Sequence, residues 1–200
     1  MKKRILMLSG FLVLVLVCGI IIYGQKVNNK KYYSYMSASW MMGYGDVESL
    51  TKDSDLIGLI QVDGVDESIG GSIPATVYRA EVIDGILGCK KEDEIQVYMT
   101  GGEKDGVVYE VETDPLMQQG QEFLIFAQHN EDGTYTVLGG PQGRMLYENG
   151  KLNSLKNTSL PHVRVSTERT SEDTQTEDYL INIKDESLDN IKKQIEGAIQ

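Results

Sequence analysis

The sequence predicts a mainly β protein in which an N-terminal transmembrane helix precedes a small antiparallel β-barrel. Three observations lead to this fold class. An uncharged apolar segment follows three cations at the N-terminus. Roughly six or seven short strand patterns then succeed one another, and no helical pattern separates them. Strands in direct succession favour an antiparallel barrel or sandwich over a parallel sheet.

The transmembrane prediction rests on residues 5–23, which begin with Ile5, end with Tyr23 and contain no charged side chain. At about 1.5 Å of rise per residue, a helix of this length spans the hydrocarbon core of a bilayer. We therefore expect residues 1–4 to be a basic cytoplasmic leader and residues 5–23 to be a signal anchor.

Two alternatives to an anchor stay open. A cleaved signal peptide needs small residues at alternate positions before the cleavage site, and the end of the apolar segment supplies only Gly24. Lipidation of Cys18 needs a small residue directly before it, where this chain has Val17. Both patterns are poorer than the pattern of an uncleaved anchor.

Charge and cysteine content restrict the partners and the compartment. The formal net charge is −11, and all 30 acidic residues follow the apolar segment. Such a surface repels nucleic acid, so no nucleic-acid partner is expected. Cys89 is the only cysteine after that segment, so no disulfide can form there, which favours a bacterial envelope protein. We expect a single-pass cell-membrane protein whose C-terminal domain is extracellular.

The rest of the chain is divided by composition. Residues 24–45 predict a juxtamembrane linker rich in aromatic residues and lysines, and residues 46–165 predict the barrel. Residues 166–178 lack aliphatic and aromatic side chains, which predicts a mobile polar loop. Residues 179–200 predict a last strand and a C-terminal helix.

Both helices have recognisable N-caps. Asp46 can cap a short helix that precedes the barrel. Ser187 can cap the C-terminal helix, whose apolar stripe we expect to pack on the barrel. That stripe consists of Leu188, Ile191, Ile195 and Ile199.

The strand predictions use two patterns. Continuous apolar runs at 55–62 and 123–127 predict buried strands, the first of them broken by Asp63-Gly64. Alternation of period two predicts strands with one buried face, and at 107–111 it assigns Val107, Tyr109 and Val111 to that face. The other alternating segments are 76–82 and 95–99, whereas 135–138 and 145–148 are predicted as strands from the hairpin turns beside them. Tight turns are predicted at 130–133 and at Asn149-Gly150.

These segments also resemble a known group of proteins. Residues 54–62, 78–88 and 120–127 resemble small uncharacterised cell-envelope proteins of Gram-positive bacteria, which are similar to netrin-like and tissue-inhibitor-of-metalloproteinase modules. The likeness covers roughly residues 46–152 and concerns apolar strands and glycine turns. It implies an OB-like barrel in the envelope and no particular activity. The chain departs from the animal modules by lacking their disulfide cysteines.

The most specific enzymatic alternative is a sortase-like cysteine transpeptidase. Cys89 would be its nucleophile, with His129 or His162 as partner and Arg144 or Arg164 at the oxyanion. The chain order argues against it, because sortases place the histidine before the cysteine. The lysines beside Cys89 could lower its pKa, but a solitary cysteine in a turn is usually inert.

The sequence offers two kinds of candidate binding site. Asp63, Asp66 and Glu67 provide weak calcium candidates in a loop, and Glu92, Asp93 and Glu94 form a second acidic group, but neither completes an EF-hand. The glycine-rich segment 139–144 ends in a cation, and a strand rather than a helix is predicted after it, so a structural bend is favoured over a phosphate site. Because OB-type barrels bind ligands along one face and its loops, Tyr98, Tyr109, Gln142 and Arg144 are the candidate binding surface.

The predicted function is therefore a membrane-anchored, extracytoplasmic binding or interaction module of the bacterial cell envelope. It is expected to be non-enzymatic, to carry no cofactor and to meet a protein partner at the envelope. The alternatives are the cysteine transpeptidase and an accessory or sensor subunit of a membrane complex.

Overall fold

The computed structural model describes residues 31–38, 42–158 and 182–199. The chain divides into two units, Met1–Tyr32 and Tyr33–Gln200, and nearly all of the described residues belong to the second. The predicted anchor at 5–23 and the predicted polar loop at 166–178 lie outside the described residues. No helix within the described ranges is long and apolar enough to cross a membrane.

The described residues are mainly β. The strands are β1 (Tyr32–Met36), β2 (Leu56–Ile69), β3 (Ala75–Leu87), β4 (Glu94–Thr100), β5 (Gly102–Lys104), β6 (Val107–Val111), β7 (Glu122–His129), β8 (Tyr135–Val137), β9 (Arg144–Glu148) and β10 (Lys151–Ser154). The α-helices are α1 (Val47–Asp53) and α2 (Leu188–Ile199), and short 3₁₀ turns span Gly140–Gln142 and Leu155–Asn157.

Five strands close into a barrel in the ring order β2, β3, β4, β8, β7, with β7 returning to β2. β9 and β10 extend the sheet beyond β7, and β1, β6 and β5 form a separate three-stranded sheet. The sequence predicts an antiparallel barrel, and the structure differs at one pairing. β4 and β8 pair in parallel, at Val97–Tyr135 and Tyr98–Thr136. This short parallel ladder closes the ring.

The apolar residues form two cores, which explains why the strands show two different sequence patterns. β2 and β7 contribute to both, so they are buried on both faces and read as continuous apolar runs. β3 and β4 turn one face to the barrel interior and therefore alternate. The interior core includes Leu56, Ile60, Val62, Tyr78, Ala80, Val82, Val97, Phe123 and Ile125.

The second, outer core lies on the other face of β2 and β7, and the two helices cover it. Its strand residues include Ile57, Leu59, Leu124, Phe126, Met145 and Leu152. Leu50 of α1 and Ile191 and Ile195 of α2 are buried there, as the apolar spacing predicted, whereas Ile199 is exposed. Asp46 caps α1 by accepting a hydrogen bond from the Ser49 backbone N–H at 2.8 Å. The Ser187 hydroxyl likewise accepts from the Asn190 backbone N–H at 3.3 Å, so both predicted caps are confirmed.

Three predicted features differ from the structure. β2 does not end at Asp63-Gly64 but continues to Ile69, because a bulge at Gly64, with φ of +150°, absorbs the turn residues. The predicted linker 24–45 contains β1 and also Tyr44, which is buried in the outer core. The described part of the predicted last strand, 182–184, has no regular secondary structure.

The buried face of β6 also differs from the prediction. Val108 and Glu110 are buried with Val111, whereas Val107 and Tyr109 are only partly covered. Glu110 can be buried because its Oε1 accepts a hydrogen bond from the Leu116 backbone N–H at 2.7 Å. The polar residue rather than the aromatic one therefore faces inward.

Candidate functional site

A groove of about 600 Å³ lies beside the seam where β4 meets β8. The first residues of β4 and β8 line it, together with residues of β2 and β3 and the turn after β3. The lining residues are Leu56, Asp66, Arg79, Gly88, Cys89, Asp93, Glu94, Ile95, Gln96, Gly133 and Tyr135. Polar, apolar and thiol groups therefore meet at one surface.

Arg79 is the only cation among those lining residues, and it is already paired. Its guanidinium lies 3.2 Å from Asp66 and 3.8 Å from Asp63, and the Gln96 side chain donates a second hydrogen bond to Asp66. Strands β2, β3 and β4 are adjacent in the barrel, so these side chains form a ladder across three strands. The ladder fixes the orientation of Arg79 and Gln96 at the groove.

The carboxylates at the start of β4 make the groove acidic. Asp93 accepts a hydrogen bond from the Lys90 backbone N–H at 2.7 Å, which holds the turn that leads into the strand. Glu94 is exposed beside it. Because Asp63 and Asp66 offset the charge of Arg79, this end of the groove attracts cations.

Cys89 enters the groove from the turn that follows β3. Its thiol is half-buried and donates to the Ile57 carbonyl at 3.4 Å. Burial raises the pKa of the Cys89 thiol, which keeps it in its less nucleophilic neutral form. The preceding Gly88 has φ of +66°, and a Cβ there would lie 1.9 Å from the Asp55 carbonyl oxygen. Only glycine fits this turn.

The histidines do not complete a catalytic pair with Cys89 in the described part of the chain. His129 packs edge-on against Tyr135, with ring centroids 5.1 Å apart, and no hydrogen bond between His129 and Cys89 occurs within the described residues. His162 and Arg164 lie outside the described residues.

The candidate binding residues predicted from the sequence are not brought together at a surface. Gln142 is buried, and its Oε1 accepts a hydrogen bond from the Tyr44 backbone N–H at 2.6 Å. Arg144 is 1% exposed and lies inside the barrel. Tyr98 and Tyr109 are partly covered and belong to different sheets. Two of the four therefore cannot contact a ligand at the surface.

Arg144 instead organises a buried polar cluster. Its guanidinium donates to the Asp114 carboxylate and to the Pro115 carbonyl, both at 2.6 Å, and lies 4.9 Å from the centre of the Phe123 ring. Its Nε is buried without a hydrogen-bond partner in the described residues. The cluster ties the segment after β6 to the interior of the barrel.

Burial dominates the ionisation of this cluster. It raises the pKa of Asp114, and the Arg144 guanidinium offsets only part of the rise. It also raises the pKa of Tyr78, which faces the same charges, to about 12. The ionisable side chains of this cluster are therefore neutral or paired with each other, and they do not form a binding site for ions from solvent.

The calcium candidates serve other contacts. Asp63 and Asp66 pair with Arg79, and Glu67 is exposed on β2. Residues 31–38, 42–158 and 182–199 contain no group of three or more His, Cys, Asp or Glu side chains placed to hold a metal ion. The segment 139–144 forms a 3₁₀ turn that leads into β9, as the predicted structural bend requires.

Sequence reasoning missed the contribution of Arg79, Gln96 and Tyr135 to the groove. Arg79 and Gln96 only occupy outward positions of alternating strands, and most such positions are merely solvated. Tyr135 packs partly against the interior core, from a strand of only three residues. The pairing of β4 with β8 closes the barrel and so decides which residues meet at the groove.

The fold and the groove define a small, mainly β protein with a closed five-strand barrel. Comparison of the chain with models of known protein families, with curated proteins and with solved structures found no match.

Proposed function

We propose that the protein is an extracytoplasmic binding module of a bacterial cell envelope, anchored in the cell membrane by residues 5–23. The observation that supports binding is the groove beside β4 and β8, which offers hydrogen-bonding, apolar and acidic groups at one accessible surface. The apolar segment after three N-terminal cations supports the anchor and the outward orientation of the barrel.

An OB-type assignment is part of this proposal. Numbered within the barrel alone, the ring order is 1-2-3-5-4, and the third and fifth strands are parallel. This order supports an OB-type barrel, a fold that carries binding surfaces in many proteins. The resemblance to netrin-like envelope modules would follow from the same barrel.

Binding is favoured over catalysis by the state of Cys89. A transpeptidase needs a thiolate near a base, whereas burial raises the pKa of this thiol and its hydrogen bond goes to a backbone carbonyl. Cys89→Ala should therefore preserve function in intact cells. Loss of function with the fold intact would favour the enzyme.

The groove is tested with matched substitutions in the full-length protein. Glu94→Lys reverses a charge at the groove, and Glu196→Lys makes the same change on the exposed face of α2. After cross-linking in intact envelopes, wild type and Glu196→Lys should yield equal amounts of the same cross-linked partner protein. Glu94→Lys should yield several-fold less of that protein. Equal recovery with both variants would contradict the assignment of the groove.

The location is tested separately. Lys193 is exposed on α2, so Lys193→Cys in a Cys89→Ala background offers one accessible thiol outside residues 5–23. A membrane-impermeant maleimide should label this thiol in intact cells. Labelling only after lysis would place the barrel on the cytoplasmic side and overturn the proposed location.

A further inference from the structure

The outer edge of β4 is open at the groove. On one side, β4 pairs with β3 along its whole length, from Glu94 to Thr100. On the other side, the described residues pair only at Val97 and Tyr98, where β8 closes the barrel. The first three residues of β4 therefore have a strand neighbour on one side only within the described ranges.

The direction of the peptide groups of β4 follows from the backbone hydrogen bonds at the two ends of its pairing with β3. The Val82 N–H donates to the Asp93 carbonyl at 2.9 Å, and the Gly101 N–H donates to the Pro74 carbonyl at 2.8 Å. Peptide groups alternate in direction along an antiparallel ladder, so Ile95 bonds to β3. The N–H groups of Glu94 and Gln96 then point away from β3 and toward the groove.

The groove leaves room for another strand. Glu94 and Gln96 are both exposed. Gly133 stands before β8, and a Cβ built on it would meet nothing within 4 Å. An incoming chain can therefore approach the β4 edge. Unpaired backbone groups of this kind are a template for strand addition.

We propose that the groove binds an extended, basic polypeptide segment, which adds as a strand to the open edge of β4. The inference rests on the proposed binding function and specifies its ligand. Main-chain hydrogen bonds to Glu94 and Gln96 hold the segment, and Asp93 and Glu94 attract its Lys or Arg side chains. Tyr135 offers an aromatic surface to its apolar side chains.

A second copy of this chain is the wrong occupant. Edge-to-edge pairing of two β4 strands would bring Glu94 and its neighbour Asp93 against the same carboxylates of the other copy. The whole chain also carries a net charge of −11, which opposes self-association. A basic partner has the complementary charge.

Amide hydrogen exchange of the full-length protein tests the geometry directly. The probes are an octapeptide of alternating lysine and valine and its glutamate–valine counterpart. The basic peptide should slow exchange at Glu94 and Gln96 about tenfold or more, while Ile95, already bonded to β3, changes little. The acidic peptide should have no effect. Slow exchange at Glu94 and Gln96 without peptide, or no protection by the basic peptide, would overturn the proposal.

A proline substitution separates strand addition from binding in general. Glu94→Pro removes one outward N–H at the first residue of β4, a position that tolerates proline, and Glu94→Ala removes the same side chain but keeps the N–H. Glu94→Pro should bind the basic peptide about fivefold more weakly than Glu94→Ala does, as expected for the loss of one hydrogen bond. If Gln96→Ala weakens binding while the two Glu94 variants bind equally and no amide is protected, the groove still binds but not by strand addition.

Discussion

Replacing Arg144 with methionine should destabilise the barrel strongly. The guanidinium is 1% exposed and donates to Asp114 and to the Pro115 carbonyl. Arg144→Met leaves a buried carboxylate and a buried carbonyl without these donors. Removing one partner of a buried ion pair costs about 3–5 kcal/mol. For a domain of this size, we expect the melting temperature to fall by roughly 10 °C.

A double variant separates the effect of the stranded charge from the loss of packing. The double variant Arg144→Met with Asp114→Leu removes both charges, so no carboxylate is stranded at position 114. We expect it to be more stable than Arg144→Met alone by about 1–3 kcal/mol, because no buried carboxylate is left without a hydrogen-bond donor. Burial raises the pKa of Asp114 despite the neighbouring cation, which indicates that desolvation offsets much of the attraction.

Chemical denaturation followed by circular dichroism measures these free energies. Lys193→Met, at an exposed position on α2, is the matched control and should change stability by less than about 0.5 kcal/mol. If Arg144→Met lies within 1 kcal/mol of wild type, or if the double variant is the less stable of the two, the argument from the buried pair is wrong.

Three further results are expected. Burial raises the pKa of Tyr78 to about 12, so its contribution to stability is present below pH 10 and is lost between pH 10 and 12. The loss amounts to about 3 kcal/mol in all. Tyr78→Phe should not show this loss in alkaline denaturation. The pKa of Asp114 is also raised, so its contribution is full below its unfolded value and declines as pH rises; the stability of Asp114→Asn relative to wild type should therefore improve from pH 3 to pH 7 in parallel denaturation series. Gly88→Ala should prevent folding, since its Cβ would lie 1.9 Å from a backbone oxygen. Gly106→Ala, also at positive φ but in open space, should cost only about 1–2 kcal/mol of stability in thermal melts. Similar losses of stability for both variants would refute the steric argument.

The strands were predictable because burial leaves a direct pattern in the sequence. Alternation located β3 and β4, the continuous runs located β2 and β7, and a hairpin turn located β9. The turn at Asn149-Gly150 was equally plain, and both residues have positive φ, as predicted. Local chemistry was enough for these features, because each depends on residues close together in the chain.

The parallel seam could not be predicted in the same way. β8 spans only Tyr135–Val137, and its pairing with β4 joins residues about forty positions apart. Nothing in three residues specifies the direction of their neighbour. The groove depends on this seam, so its residues could not be assembled from strand patterns alone. The same dependence explains why Gln96 and Tyr135 carried no functional signal.

Arg144 shows how a correct prediction of local structure can leave the position of the side chain unpredicted. A cation after a glycine-rich bend normally indicates an exposed loop, and the bend itself is confirmed. Arg144, however, is also the first residue of β9, and its side chain points inward to a carboxylate thirty positions earlier in the chain. A buried arginine is stable only where a partner is supplied from elsewhere in the fold. Since Asp114 lies in a segment with no strand pattern of its own, the pair becomes visible only in three dimensions, and it moves the search for a ligand from this loop to the open edge of β4.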